Sequence, residues 1–140
     1  MNILLAADGS RYTKKALAFL INHVSLLNET DSLHVLHVQT AMPPRVRSVA
    51  GKELVMDYYE KEAEKVLQPI RKFLDRHGTN YHADWIVGNP SIDIVKTAKA
   101  DKAHLIVMGT HGHGVIGRIL MGSVAQRVVS SCDVPVLLVK

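Results

Sequence analysis

One cysteine in 140 residues, Cys132, leaves the chain unable to form an internal disulfide, which suits a reducing, cytoplasmic setting. Cys132 continues an apolar helical pattern and reads as core packing rather than a redox centre. Aromatic residues make up 5% of the chain, too few for platforms on which unpaired bases stack. The net charge is +4, but the basic residues are scattered over helix faces and never form a run of five. Nucleic acid is therefore not an expected partner. No apolar stretch approaches the roughly 20 residues of a membrane span, so no membrane association is expected. Met1-Asn2-Ile3-Leu4-Leu5 has neither the charged region nor the cleavage site of a signal peptide and is expected to enter the fold directly. Catalytic constellations are missing too: there is no nucleophile elbow and no Cys/His arrangement. A phosphate-receiving acidic pocket is disfavoured, because the first apolar run ends in a single carboxylate, Asp8.

What is present is an alternation of apolar runs and helical patterns. Asn2 to Ala7 reads as a strand covered on both faces. Asp8-Gly9-Ser10 is a turn with Ser10 as helix N-cap, and Leu17, Leu20, Ile21, Val24 and Leu27 mark a helix face ending near Asn28. Leu33 to Gln39 is a second strand. Thr40 to Lys52, with Pro43-Pro44, Arg45 and Arg47, reads as the one long irregular segment, of the kind that is functional or mobile. Tyr59, Ala63, Val66, Leu67, Ile70 and Leu74 line a further helix, in which Pro69 predicts a kink. Tyr81 to Val87 alternates imperfectly and is expected at a sheet edge. Pro90 opens a helix reaching Ala100, and Leu105 to Met108 is a fourth strand. A last helix and the strand Val134 to Val139 complete β-α-β-α-β-α-β-α-β. This order, without repeats, implies one domain over residues 1–140: a parallel, doubly wound sheet with helices on both faces.

The densest signal lies between the fourth strand and the last helix, in Met108-Gly109-Thr110-His111-Gly112-His113-Gly114-Val115-Ile116-Gly117-Arg118-Ile119-Leu120-Met121-Gly122-Ser123. A helix start carries unpaired N–H groups and the positive end of the helix dipole, so it attracts anions. Glycines before it allow positive φ and close backbone approach. A P-loop is excluded, since Ser123 stands where its lysine belongs. Gly112, Gly114 and Gly117 satisfy G-x-G-x-x-G, but too little chain follows for a dinucleotide unit. The pattern left is G-x-x-G and, nine residues on, G-[ST]: Gly109, Gly112, Gly122 and Ser123.

That pattern resembles the nucleotide-binding signature of the universal stress protein family, in its ATP-binding branch. Ile3 to Ser10, Leu33 to Val38 and Val134 to Val139 resemble the family's first, second and last strands, so the likeness runs from end to end. It implies a Rossmann-like sheet in the order 3-2-1-4-5, of the adenine nucleotide alpha hydrolase type, with a crevice where the winding reverses. It also implies that main chain near Val38 holds the adenine, with Ala6 and Val38 around it. Met108 and Gly109 would line the ribose and α-phosphate; Gly112, Gly122, Ser123 and the amide of Val124 would hold the phosphates. Asp8 would face the ribose or an Mg or Mn ion carried by the phosphates; composition alone favours an ordinary Asx turn. Ser123 can also serve as a helix cap.

Arg118 is either a phosphate contact or a solvated side chain, and His111 and His113 make a weak metal pair. His34 and His37 fall on opposite faces of a strand and cannot share an ion, so no structural zinc is expected. The implied order leaves the last strand at an edge with no polar residue before Lys140, which predicts a homodimer through Val136 to Val139. The segment after the second strand is expected to become more ordered with ATP. These expectations describe a nucleotide-dependent regulatory protein of the stress response, with an unidentified protein partner and little or no turnover. The alternatives are a nucleotide-independent, holdase-like scaffold and a slow ATP phosphohydrolase.

Overall fold

Successive residues of the first strand are buried on opposite sides of a sheet, and this divides the protein into two cores. In a computed structural model describing residues 1–23, 30–114 and 120–140, the elements are β1 (Asn2–Ala6), α1 (Arg11–Asn22), β2 (Ser32–Thr40), α2 (Pro44–Ala50), α3 (Lys52–Arg76), β3 (Tyr81–Gly88), α4 (Pro90–Ala100), β4 (Leu105–Gly109), α5 (Ser123–Ser131) and β5 (Val136–Val139). Ile3 and Leu5 join Leu17 and Leu20 of α1 and Leu67, Ile70 and Leu74 of α3 in one core. Leu4 and Ala6 join Ile94 and Ala98 of α4 and Ala125 and Val128 of α5 in the other. Covering both faces is what permits nearly continuous apolar strands, and burying each such leucine stabilises the fold by about 1.5–3 kcal/mol.

The sheet order is β3-β2-β1-β4-β5, with every strand pair parallel. This is the expected doubly wound order. β1 lies between β2 and β4, so the winding reverses beside it and opens a crevice beyond the carboxyl ends of those strands.

Local chemistry fixes the helix starts. Ser10 caps α1, its side chain accepting from the amides of Tyr12 and Thr13. Gly9 has φ of 77°, a conformation that favours glycine, and Val66 lies 3.2 Å from where a Cβ would stand. At α4 the side chain of Asn89 accepts from Ser91 N, and Pro90 occupies the first turn. The helix α1 ends at Asn22, with His23 as its C-cap, earlier than expected; Val24, Leu27 and Asn28 lie outside the described residues. The segment after β2 is also not irregular as expected. Pro44 to Ala50 form α2, which buries no residue, and α3 runs through Pro69 to Arg76 as one 25-residue helix. β3 is half-exposed along its length, as an edge strand should be. Among the described residues, no helix is long and apolar enough to cross a membrane.

Candidate functional site

Beyond the ends of β1, β2 and β4 lies a cavity of about 600 Å³, within the size range of small-ligand sites. Its floor is apolar: Ala6, Leu36, Val38, Ile94, Met108 and Val124 all line it. Polar groups stand on its walls, among them Asp8, Thr13, Gln39, Thr110, His111 and Ser123. All nine residues singled out in the sequence for nucleotide contact line this one cavity: Ala6, Asp8, Val38, Met108, Gly109, Gly112, Gly122, Ser123 and Val124.

Asp8 divides its carboxylate between two tasks. Oδ1 accepts from Ser10 N and from Thr13 Oγ1, each at 2.9 Å, and the Thr13 hydroxyl in turn accepts from Asp8 N at 3.1 Å. That is the Asx turn allowed by composition. Oδ2 points instead at Gly112, 2.9 Å from where a Cβ would stand there. The two readings of Asp8 therefore belong to different oxygens of one side chain.

The glycines act by lacking a side chain. Positive φ is found at none of Gly109, Gly112, Gly114 and Gly122, contrary to the expectation for this loop. A Cβ on Gly109 would collide with Tyr12 of α1, so this glycine lets a helix pack against the end of β4. A Cβ on Gly122 would stand 3.3 Å from His111 Cα and from Thr110 O. Gly122 N also donates to Thr110 O at 2.7 Å, folding the two ends of the glycine segment together.

Gly122 is the N-cap of α5, and Ser123 is its first residue. Ser123 thus does not cap its helix, and no side-chain hydrogen bond caps this end. The first intrahelical turn closes from Gln126 N to Gly122 O at 3.0 Å. The amides of Ser123, Val124 and Ala125 therefore lack intrahelical acceptors, and all three residues line the cavity.

His113 Nε2 donates to the Asp8 carbonyl at 2.6 Å, linking the glycine segment to the turn after β1. His111 pairs with the Thr110 hydroxyl at 2.9 Å and packs on Tyr12, ring centroids 5.2 Å apart. Arg118 lies outside the described residues. Arg45 and Arg47 sit on α2 and do not line the cavity; from the segment Thr40 to Lys52 only Thr40 does.

Sequence reasoning missed His37, which is buried and lines the cavity. Its Nδ1 donates to the Ala7 carbonyl at 2.8 Å, and Gln39 lies 3.1 Å from Nε2. Alternation along β2 puts His37 on the face opposite His34, but its acceptor belongs to another strand and leaves no trace in local spacing.

Residues 1–140 match the model of the universal stress protein family. The chain is 34% identical to universal stress protein MJ0531 of Methanocaldococcus jannaschii, over 99% of this chain and 81% of that one. It is 33% identical to a universal stress protein of Thermus aquaticus, over 99% and 97% respectively. Among solved structures, that of the protein MJ0577 superposes with a TM-score of 0.83 at 29% identity, covering 99% of this chain and 94% of that one. The universal stress protein of Archaeoglobus fulgidus in complex with dAMP superposes with a TM-score of 0.72 at 25% identity, covering 100% and 98%.

Proposed function

Since the chain belongs to the universal stress protein family, we propose that its cavity binds ATP and that it is a nucleotide-dependent regulator of the stress response with little or no turnover. One observation carries this reading: an apolar floor faces the uncapped amides of α5 across a cavity rimmed by Asp8 and the glycine segment. Adenine needs a flat apolar slot, and phosphates need donors without bulk. Ala6 and Val38 flank the adenine, Met108 and Gly109 the ribose and α-phosphate. Gly112, Gly122, Ser123 and Val124 hold the phosphate chain through main-chain donors and the Ser123 hydroxyl. The nucleotide brings its own Mg or Mn, and Asp8 Oδ2 fits that cation because its partner Oδ1 is already engaged.

Turnover demands a group that activates water and charge that stabilises the transferring phosphoryl. Among the described residues of the cavity no spacing assigns those roles, so hydrolysis falls well below the roughly 1–10³ s⁻¹ of ordinary enzymes. Analysis of the small molecules carried by the purified protein, followed by calorimetry with ATP, tests the reading; affinity at millimolar or tighter is expected. A contaminant-free sample with enzyme-like turnover overturns the regulatory role in favour of a phosphohydrolase.

Exposed apolar side chains on α2 and α3, Val46, Val49, Leu54 and Met56, favour a second reading as a holdase-like scaffold. Protein that neither carries nor binds adenine nucleotide supports it. In either case we place the protein in the cytoplasm, as a homodimer joined through Val136 to Val139 that acts on a regulatory protein partner.

A further inference from the structure

At the opposite end of β2 from the cavity, the parallel register sets His34 beside His82 and Leu36 beside Asp84. Facing residues of paired strands share a face, and so do residues two apart. His34, His82 and Asp84 therefore project together. Asp84 Oδ1 lies 2.8 Å from His34 Nε2, and its Oδ2 lies 3.2 Å from His82 Nε2. One potential ligand atom from each residue lies within 4.8 Å of the other two. Among the described residues this is the one such group of three.

The orientation of His34 is fixed from behind. Its Nδ1 donates to Asp101 Oδ2 at 2.6 Å, and Asp101 is the C-cap of α4. With Nδ1 donating, a neutral ring would aim the Nε2 lone pair at a carboxylate oxygen. That contact is repulsive unless a cation lies between them, either a proton or a metal ion. A carboxylate holding the far nitrogen of a ligating histidine is the recurrent support of metal sites.

Space is available as well. A small cavity of about 210 Å³ is bordered by His34, His82 and Asp101, with Asp84 outside its lining. The side chains of His82 and Asp84 are 69% and 45% exposed, so they can adjust and leave room for water ligands. Around a tetrahedral ion with bonds of about 2.0–2.2 Å, ligand atoms stand roughly 3.3 Å apart, close to the contacts already made. Two imidazoles and a carboxylate suit zinc and its d-block neighbours, not Mg²⁺ or Ca²⁺.

We propose that His34, His82 and Asp84 form a binding site for a divalent d-block cation of the zinc class, with Asp101 as a positioning residue. The bound ion ties the edge strand β3 to β2. The objection from sequence holds for His34 with His37, but it overlooked the partner that the neighbouring strand supplies.

The test is calorimetry of the full chain with ZnCl₂, repeated with MgCl₂, and Co²⁺ absorption as a second probe of coordination. One equivalent of Zn²⁺ is expected at affinity on the order of micromolar, with no Mg²⁺ binding at this site. His82→Ala, at an exposed position, should weaken Zn²⁺ binding by tenfold or more and abolish the rise in melting temperature that Zn²⁺ produces. Its melting without metal checks that the fold is kept. Asp101→Asn should weaken Zn²⁺ binding by about 10- to 100-fold; lowered thermal stability with unchanged affinity would instead mean a structural role and remove Asp101 from the site. Zinc binding weaker than millimolar overturns the proposal. So does zinc binding that survives His82→Ala but is lost in His113→Ala.

Discussion

Asp8 and Gly112, neighbours in the lining of the cavity, are matched to each other: the carboxylate reaches to 2.9 Å of the position a Cβ would occupy on the glycine. Gly112→Ala would push a methyl group against Oδ2, while Oδ1 remains held by Ser10 and Thr13. ATP affinity is expected to fall by about tenfold, with stability changed by less than about 1 kcal/mol. Calorimetry and a urea melt on the same variant check both parts, and unaltered affinity would remove Asp8 and Gly112 from the site. This is a cleaner probe than Gly122→Val. The main-chain neighbours of Gly122 cannot move aside cheaply, so a valine there disturbs the fold as well as the phosphates.

Thr13 is the hidden support of that geometry. It is 2% exposed, and its hydroxyl serves both the amide and the carboxylate of Asp8. Thr13→Val keeps the shape and deletes the hydroxyl, leaving the Asp8 amide without its acceptor. A loss of about 1–3 kcal/mol is expected, read from the urea midpoint at constant slope. A midpoint equal to that of the wild type would show that water substitutes for the hydroxyl.

Hydrogen exchange distinguishes the walls of the cavity from the segment beside it. α2 buries nothing, and the chain entering it is held by a hydrogen bond from Met42 N to the Tyr59 hydroxyl at 2.7 Å. Its amides should exchange fast, as expected for an element with few buried contacts. Saturating ATP should slow exchange around Gly109 to His113 and Ser123 to Ala125; α2, which lines no part of the cavity, should stay unchanged, in place of the ordering expected from the sequence. Protection confined to α2 would instead support the ordering of the segment Thr40 to Lys52 by ATP.

The free edge at β5 carries the dimer prediction. Ile106 N donates to Pro135 O and Thr110 N to Val139 O. Alternate residues of a parallel strand face a given neighbour, so the backbone groups of Val136 and Leu138 turn outward. Leu138 also packs on the core, so Leu138→Lys would test packing together with association. Leu138→Pro loses that packing too but also removes the outward N–H, and a urea melt of the variant separates lost stability from lost association. Light scattering at tens of micromolar should give twice the chain mass for the wild type and a shift toward monomer for the variant. A monomeric wild type would rule the interface out.

How much of this could be read from sequence depended on whether the relevant neighbours were local. The strands declared themselves because both faces are covered, and Ser10 and Pro90 marked helix starts through contacts within a few residues. α2 was misread because Pro43-Pro44 was taken as irregularity, although proline also belongs in a first helical turn. The sheet order came from family likeness, since apolar runs do not state their neighbours. His37 with Ala7, and His34 with His82, depend on strand pairing and appear only once the register is known. The cavity's nine expected residues, like the sheet order, came from the family likeness; most lie at the ends of strands or in one short glycine segment.

The start of α5 offers a cavity its main-chain amides rather than the tips of side chains. Donors of that kind are deleted by no substitution other than proline. Val124→Ala would change little even if this residue holds the ligand, and Ser123→Ala would remove only the hydroxyl, because both variants keep the N–H. Loss of binding would have to come from added bulk or from proline, which removes the N–H itself. Drift in the surrounding side chains would be tolerated for the same reason, so long as the glycines remain bare.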